Sequence, residues 1–188
     1  MTLIANNPHQ TLILFNANQT LEQVYYALGR LGLSLDREVL AQGITGSAEK
    51  ITKRFMLGHD SVLLATSSFV SGVDFPEAAL EMVILVQLPF DAPNALQTRV
   101  RYAQLSAQGI NPFKAEALPK ATIRLRQSFG RLIRTPNDRG LFICLDPRLL
   151  TTQYGQQMRR ALPASLPQKA APVQTIRELS DLFWLNSD

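Results

Sequence analysis

Short apolar runs alternate along this chain with longer stretches of helical periodicity. The run Thr11–Asn16 (TLILFN) is uncharged and too short for a helix, so it predicts a buried strand. Asn18 caps a helical stretch through Arg30, with Leu21, Val24, Tyr25 and Leu28 at helical spacing and Gly29 and Gly32 helping to end it. A brief strand is predicted near Glu38–Ala41. Ser47 caps the next helix, whose apolar side is Ile51, Phe55 and Met56. The runs Ser61–Ser67, Met82–Leu88 and Leu141–Leu145 read as further buried strands. Helical patterns occupy Pro93–Gln108, Ala121–Arg134 and Leu149–Ala161. Buried strands alternating with helices of these lengths predict an α/β fold with a parallel sheet covered on both faces. The proline-rich stretch Pro163–Pro172 reads as a linker, and Ile176–Leu185 as a short amphipathic helix packing back through Leu179, Leu182 and Phe183. The expected division is therefore one domain over residues 1–162 and a linker with C-terminal helix over 163–188. The linker-like tail also places Asp188 near a natural end.

Composition narrows the chemistry. With 188 residues, 46% hydrophobic and 18% charged, the chain can build a sizeable core. The single cysteine, Cys144, cannot form an internal disulfide or a four-thiolate metal centre. It reads as inert core. Two isolated histidines, His9 and His59, offer no metal-ligand spacing and read as loop residues, while Trp184 is expected to seal the last helix. No apolar run reaches about 18 residues, and the N-terminus lacks the pattern of a signal peptide, so a cytoplasmic location without a membrane span is expected.

The net charge of +4 hides a regional asymmetry. Between Gln97 and Arg160 twelve Lys and Arg face only Glu116, Asp138 and Asp146, a balance of +9, and the remainder of the chain sums to −5. That pattern points to an anionic partner such as nucleic acid or nucleotide phosphate; a solvated basic face is the plainer reading.

In open parallel sheets ligands collect at the carboxyl ends of the strands, so the segments after each strand are the candidate binding segments. The Ser61 strand leads into TSSFVSGVDFP, rich in hydroxyls, the Met82 strand into LPFDAP, and the Leu141 strand into Asp146-Pro147-Arg148. The densest constellation is QSFGRLIR, Gln127 to Arg134. On a continuous helix Arg124, Gln127, Arg131 and Arg134 fall within an arc of about 80°, and Leu125, Phe129, Leu132 and Ile133 within a separate arc of about 100° that faces the sheet. Like charges at this spacing repel by a few tenths of a kcal/mol per pair, so three together suit a polyanion. Gly130 costs about 1 kcal/mol relative to alanine in a helix, which suggests a close approach to the backbone.

At these residues the chain resembles a known family. QSFGRLIR is similar to motif VI (QxxGRxxR) of superfamily 2 helicases. The ordered set ATSSFVSGVDFP, LPF, NPF, LP, QSFGRLIRTPNDRGLFICLDPR, together with LILFNAN and QGITGSAEKITKRF, resembles the DinG branch of the XPD-like DNA helicases across essentially the whole chain. The resemblance implies a RecA-like three-layer fold and the second motor domain of an ATP-dependent DNA helicase, with roles in DNA repair. It implies that Arg131 and Arg134 act as arginine fingers on ATP, with Gln127 near the γ-phosphate and Gly130 beside the nucleotide. Gly72 and Asp74 match the motif V Gly-x-Asp that borders nucleotide and DNA. Thr66, Ser67, Ser68 and Phe69 would lie against the tracked single strand of DNA. Two departures stand out: Val70 and Ser71 replace the Trp-Glu that the family commonly carries, and Glu77 follows Pro76 where glycine is common.

The sequence contains no G-x-x-x-x-G-K-[ST] phosphate loop and no DEAH-like acid cluster. By the resemblance, those parts and the Mg²⁺ site belong to an N-terminal motor half, the expected partner, and this chain alone would not hydrolyse ATP. The alternative is a free-standing RecA-like module that binds single-stranded nucleic acid or a protein without turnover.

Overall fold

Five parallel strands in the order β2-β3-β1-β4-β5 form the sheet of the computed structural model, with β1 at its centre. The structure describes residues 3–4, 9–30, 37–67, 69, 80–92, 94–133, 138–164 and 166–185. The strands are β1 (Thr11–Phe15), β2 (Val39–Ala41), β3 (Val62–Thr66), β4 (Met82–Leu85) and β5 (Leu141–Cys144). The helices are α1 (Asn18–Arg30), α2 (Ala48–Leu57), α3 (Leu96–Ala107), α4 (Leu118–Gly130), α5 (Arg148–Thr151), α6 (Gln153–Arg160) and α7 (Val173–Leu185), with a π-helical run Phe113–Ala117 leading into α4.

Strand residues alternate between two cores, as the pleat requires. Leu12, Leu14, Leu63, Ala65, Val83 and Leu85 meet Ile51 and Phe55 of α2, Ala121 and Leu125 of α4 and Met158 of α6. Ile13, Phe15, Val62, Leu64, Met82 and Ile84 meet Leu21 and Leu28 of α1 and Ile176 of α7 on the other face. The result is the expected three layers.

Every predicted strand is present. The helical predictions needed three corrections. The Leu149–Ala161 pattern is two helices, because Thr152 adopts extended backbone (φ −113, ψ 153) and caps α6 by accepting the Gly155 N–H at 3.0 Å. The expected Ala121–Arg134 helix runs instead from Leu118, where Pro119 suits the first turn, to Gly130. The Pro93–Gln108 pattern is helical over Leu96–Ala107 and closes on Gly109 at φ +72, whose N–H and that of Ile110 bond back to Ser106 and Leu105.

At the amino edge of the sheet, side chains fasten the strand entrances together. The half-buried Arg37 guanidinium donates to the carbonyls of Asp60 and His9; burial holds its pKa below the ordinary arginine value. Gln10 accepts the Ser61 N–H at 2.8 Å and donates to the Phe55 carbonyl. His9, a loop residue as read, stacks on Trp184 of α7 (3.6 Å between centroids, 18°) and meets Glu81 at 3.1 Å.

Candidate functional site

The carboxyl edge of the sheet is laced by polar side chains that follow the strands. After β3, the Thr66 hydroxyl donates to Gln42 Oε1 at 3.0 Å and its N–H to the same oxygen at 2.9 Å, joining the outlets of β2 and β3. The Ser67 Oγ is buried and has no hydrogen-bond partner among the described residues, and Phe69 packs against the core on the α2 and α4 side. After β1, the Asn16 amide donates to the Leu88 carbonyl at 2.6 Å. The Leu88 N–H in turn donates to Asp146 Oδ2 at 2.9 Å.

Asp146 is the centre of this edge. It is 7% exposed and accepts four donors: the Leu88 N–H, the Arg148 N–H, and both Nε and Nη2 of the Arg148 guanidinium at 2.9 and 2.6 Å. Burial raises its pKa, but the hydrogen bonds from Arg148 and the Leu88 backbone outweigh burial and hold the carboxyl below the usual range. Beside it, Phe90, Phe113 and Tyr154 form a three-ring cluster with centroids 5.2–5.8 Å apart.

Arg124 belongs to this edge too. Its guanidinium pairs with Asp91 at 2.6 Å and donates to the Pro89 carbonyl at 3.2 Å. It is thus neutralised rather than free to meet a polyanion with Gln127 and Arg131, which corrects the expected three-cation arc.

The end of α4 lies at the opposite, amino edge. A helix connecting parallel strands runs antiparallel to them, so its C-terminus returns to where the next strand begins. Leu132 packs on Gly140, which precedes β5: a Cβ added there would sit 2.5 Å from Leu132 Cδ1. Leu125, Phe129 and Leu132 are buried as expected, Gln127 is exposed and Arg131 is half-buried. Arg131 keeps helical backbone (φ −76, ψ −26) as the cap residue. A Cβ built at Gly130 meets no atom of the described residues within 4 Å, so none of them requires glycine there.

The predicted residues therefore fall into two groups. Thr66, Ser67 and Phe69 lie at the carboxyl edge; Gly130 and Arg131, at the end of α4, lie toward the amino edge, with Gln127 about one turn before them on the same helix. Ser68, Gly72, Asp74 and Arg134 lie outside the described residues. Sequence reasoning passed over Asn16 and Gln42, whose partners are remote in the chain, and noted Asp146-Pro147-Arg148 without a role. No group of three or more His, Cys, Asp or Glu among the described residues could hold a metal ion. No helix among them is long and apolar enough to cross a membrane.

Comparison with known proteins identifies the class. Residues 1–165 match the helicase C-terminal domain, and the chain belongs to that family. It is 37% identical over 155 residues to the 3'-5' exonuclease DinG of Bacillus subtilis, covering 82% of this chain and 17% of the relative. It is 42% identical over 127 residues to the ATP-dependent DNA helicase YoaA of Haemophilus influenzae, covering 68% of this chain and 20% of the relative. A solved XPD helicase superposes with a TM-score of 0.63 at 14% identity, over 85% of this chain and 28% of that one, and shares the RecA-like fold. The protein is thus a helicase C-terminal domain, similar in sequence to DinG and YoaA and in fold to the XPD helicase. It spans about a fifth of the length of these curated relatives.

Proposed function

We propose that this domain is the second motor half of an ATP-dependent DNA helicase, with its two edges divided between DNA and nucleotide. The observation that carries the reading is the separation of the two residue groups onto opposite edges of one rigid sheet. The carboxyl edge, with Thr66, Ser67 and Phe69, faces single-stranded DNA; Ser68 joins that set in sequence, and Gly72 and Asp74 further along border both nucleotide and DNA. Hydroxyl and backbone donors there position phosphates without reading sequence. The amino edge, with Gln127, Gly130 and Arg131, and Arg134 three residues further along, faces the triphosphate held by the N-terminal motor half.

The exposed Gln127 amide, the bare backbone at Gly130 and the adjacent Arg131 guanidinium suit an approaching polyphosphate. Arg131 and Arg134 neutralise charge that develops on the γ-phosphoryl group as it passes to water. Mg²⁺, when bound by the other half, shares that neutralisation. Because β1, β3 and β4 are packed into one sheet, a rigid-body movement of the domain upon nucleotide closure displaces the DNA edge as well. That link turns hydrolysis into translocation.

The test is steady-state ATPase activity of the full-length protein with single-stranded DNA. Arg131→Ala is expected to lower kcat by about a thousandfold or more, the scale of an arginine finger, while the protein retains its folded circular dichroism. Near-normal turnover in this variant removes the arginine-finger role.

A further inference from the structure

The Phe90–Phe113–Tyr154 cluster is not used by the reading above. It lies at the carboxyl edge, since Phe90 follows β4 and Tyr154 opens α6 just beyond β5. Phe113 stacks on Phe90 at 5.8 Å with 25° between planes, and Tyr154 meets both rings edge-on. Two of the three rings are half-buried, but Phe113 remains 38% exposed. One side of its ring is thus backed by fixed aromatic neighbours while the other side meets solvent.

Its surroundings suit an aromatic ligand. Phe113 opens the π-helical run, a backbone form that occurs often at functional positions. The turn is pinned by Asn111, whose side-chain oxygen accepts the Lys114 N–H at 3.1 Å. Lys114, the next residue, is exposed. Arg148, anchored by the buried Asp146, also hydrogen-bonds Tyr154. A partly exposed π face held by fixed aromatic neighbours fits a nucleobase better than an aliphatic partner.

We infer that Phe113 is a stacking platform for one base of a single strand crossing the carboxyl edge. The inference rests on the DNA reading of that edge and adds a contact to it. From the outlet of β3 to those of β4 and β5 is two or three strand spacings, about 10–14 Å. Every base has a π face, so the contact holds the strand without choosing sequence.

Fluorescence anisotropy of a labelled single-stranded 20-mer with the full-length protein tests this. Phe113→Ala is expected to raise Kd about five- to a hundredfold, the range for loss of one base–aromatic stack. Phe113→Leu, which keeps an apolar contact with Phe90 and Tyr154 but no π face, weakens binding similarly, and Phe113→Trp restores it. An abasic site scanned along the strand weakens wild-type binding sharply at one position and adds nothing to Phe113→Ala. Wild-type affinity in Phe113→Leu, or abasic losses equal in both proteins, overturns the assignment; so does protection of Phe113 by another part of the protein, which leaves affinity unchanged. If the wild-type protein binds no single strand, the DNA reading itself falls.

Discussion

Replacing Asp146 with alanine is the perturbation whose cost can be followed most closely from the structure. The carboxylate accepts two backbone N–H groups, those of Leu88 and Arg148, and the Arg148 guanidinium. The side chain of Arg148 is 48% exposed and finds water once released, so little is lost there. Leu88 is fully buried and its N–H has no other route to solvent. An orphaned buried donor costs about 1–3 kcal/mol, and the shorter side chain leaves a small void beside it. The sum is about 2–4 kcal/mol. For a domain of this length each kcal/mol moves Tm by roughly 2–4 °C, so Asp146→Ala lowers Tm by about 5–15 °C. Arg148→Ala is expected to lower it by only a few degrees. Thermal unfolding followed by far-ultraviolet circular dichroism distinguishes the two. Equal losses in the two variants refute the reasoning, because the strap from β5 to the β4 outlet would then contribute nothing beyond a surface ion pair. The pH dependence carries the same sign: the Asp146 carboxyl is held below its unfolded value, so its contribution is complete above about pH 4 and is lost as pH falls through the lower folded value. The Asp146→Ala protein lacks that part of the acid limb.

Two other outcomes follow from local geometry. Gly155→Ala places a Cβ 2.1 Å from the Arg148 carbonyl oxygen, backbone that cannot step aside without opening the α5–α6 corner; urea unfolding is expected to show a loss of about 2 kcal/mol, whereas helix propensity alone predicts a gain of about 1 kcal/mol, so the sign decides. Partial burial pushes the half-buried Cys144 thiol up to about 11, so alkylation of the native protein is slow at pH 8 and quickens about tenfold per pH unit toward that value; prompt labelling of the folded protein near neutral pH counts against this raised value.

Much of the architecture was legible in the chain. The β-branched and leucine runs at Thr11, Ser61, Met82 and Leu141 could be nothing but buried strands, because runs that short and apolar are stable only between two covering layers. The helical face of Leu125, Phe129 and Leu132 was equally readable. The motif at Gln127–Arg134 pointed to the family before any coordinates did. Its location was readable in principle as well: a right-handed crossover returns the helix end to the amino edge, and attention to the carboxyl edge alone obscured this. Gly155 and Thr152, which break one helical pattern into two, carried only a capping cue that periodicity overrode.

Other features were decided by packing alone. Asn16, Leu88 and Asp146 are 72 and 58 residues apart in successive steps, and no local pattern links them. Arg124 looked like one of three free cations until Asp91, on the loop leaving β4, was brought to 2.6 Å. His9 gained Trp184 and Glu81 the same way. Periodicity reports which face of an element is buried, since that depends on a residue's own polarity and its near neighbours. Which polar group meets which depends on where the sheet order β2-β3-β1-β4-β5 sets the ends of five separate segments. The sequence by itself determined the layers, the family and the residue types that follow each strand and helix; the crossovers between parallel strands decided where in the sheet those residues lie.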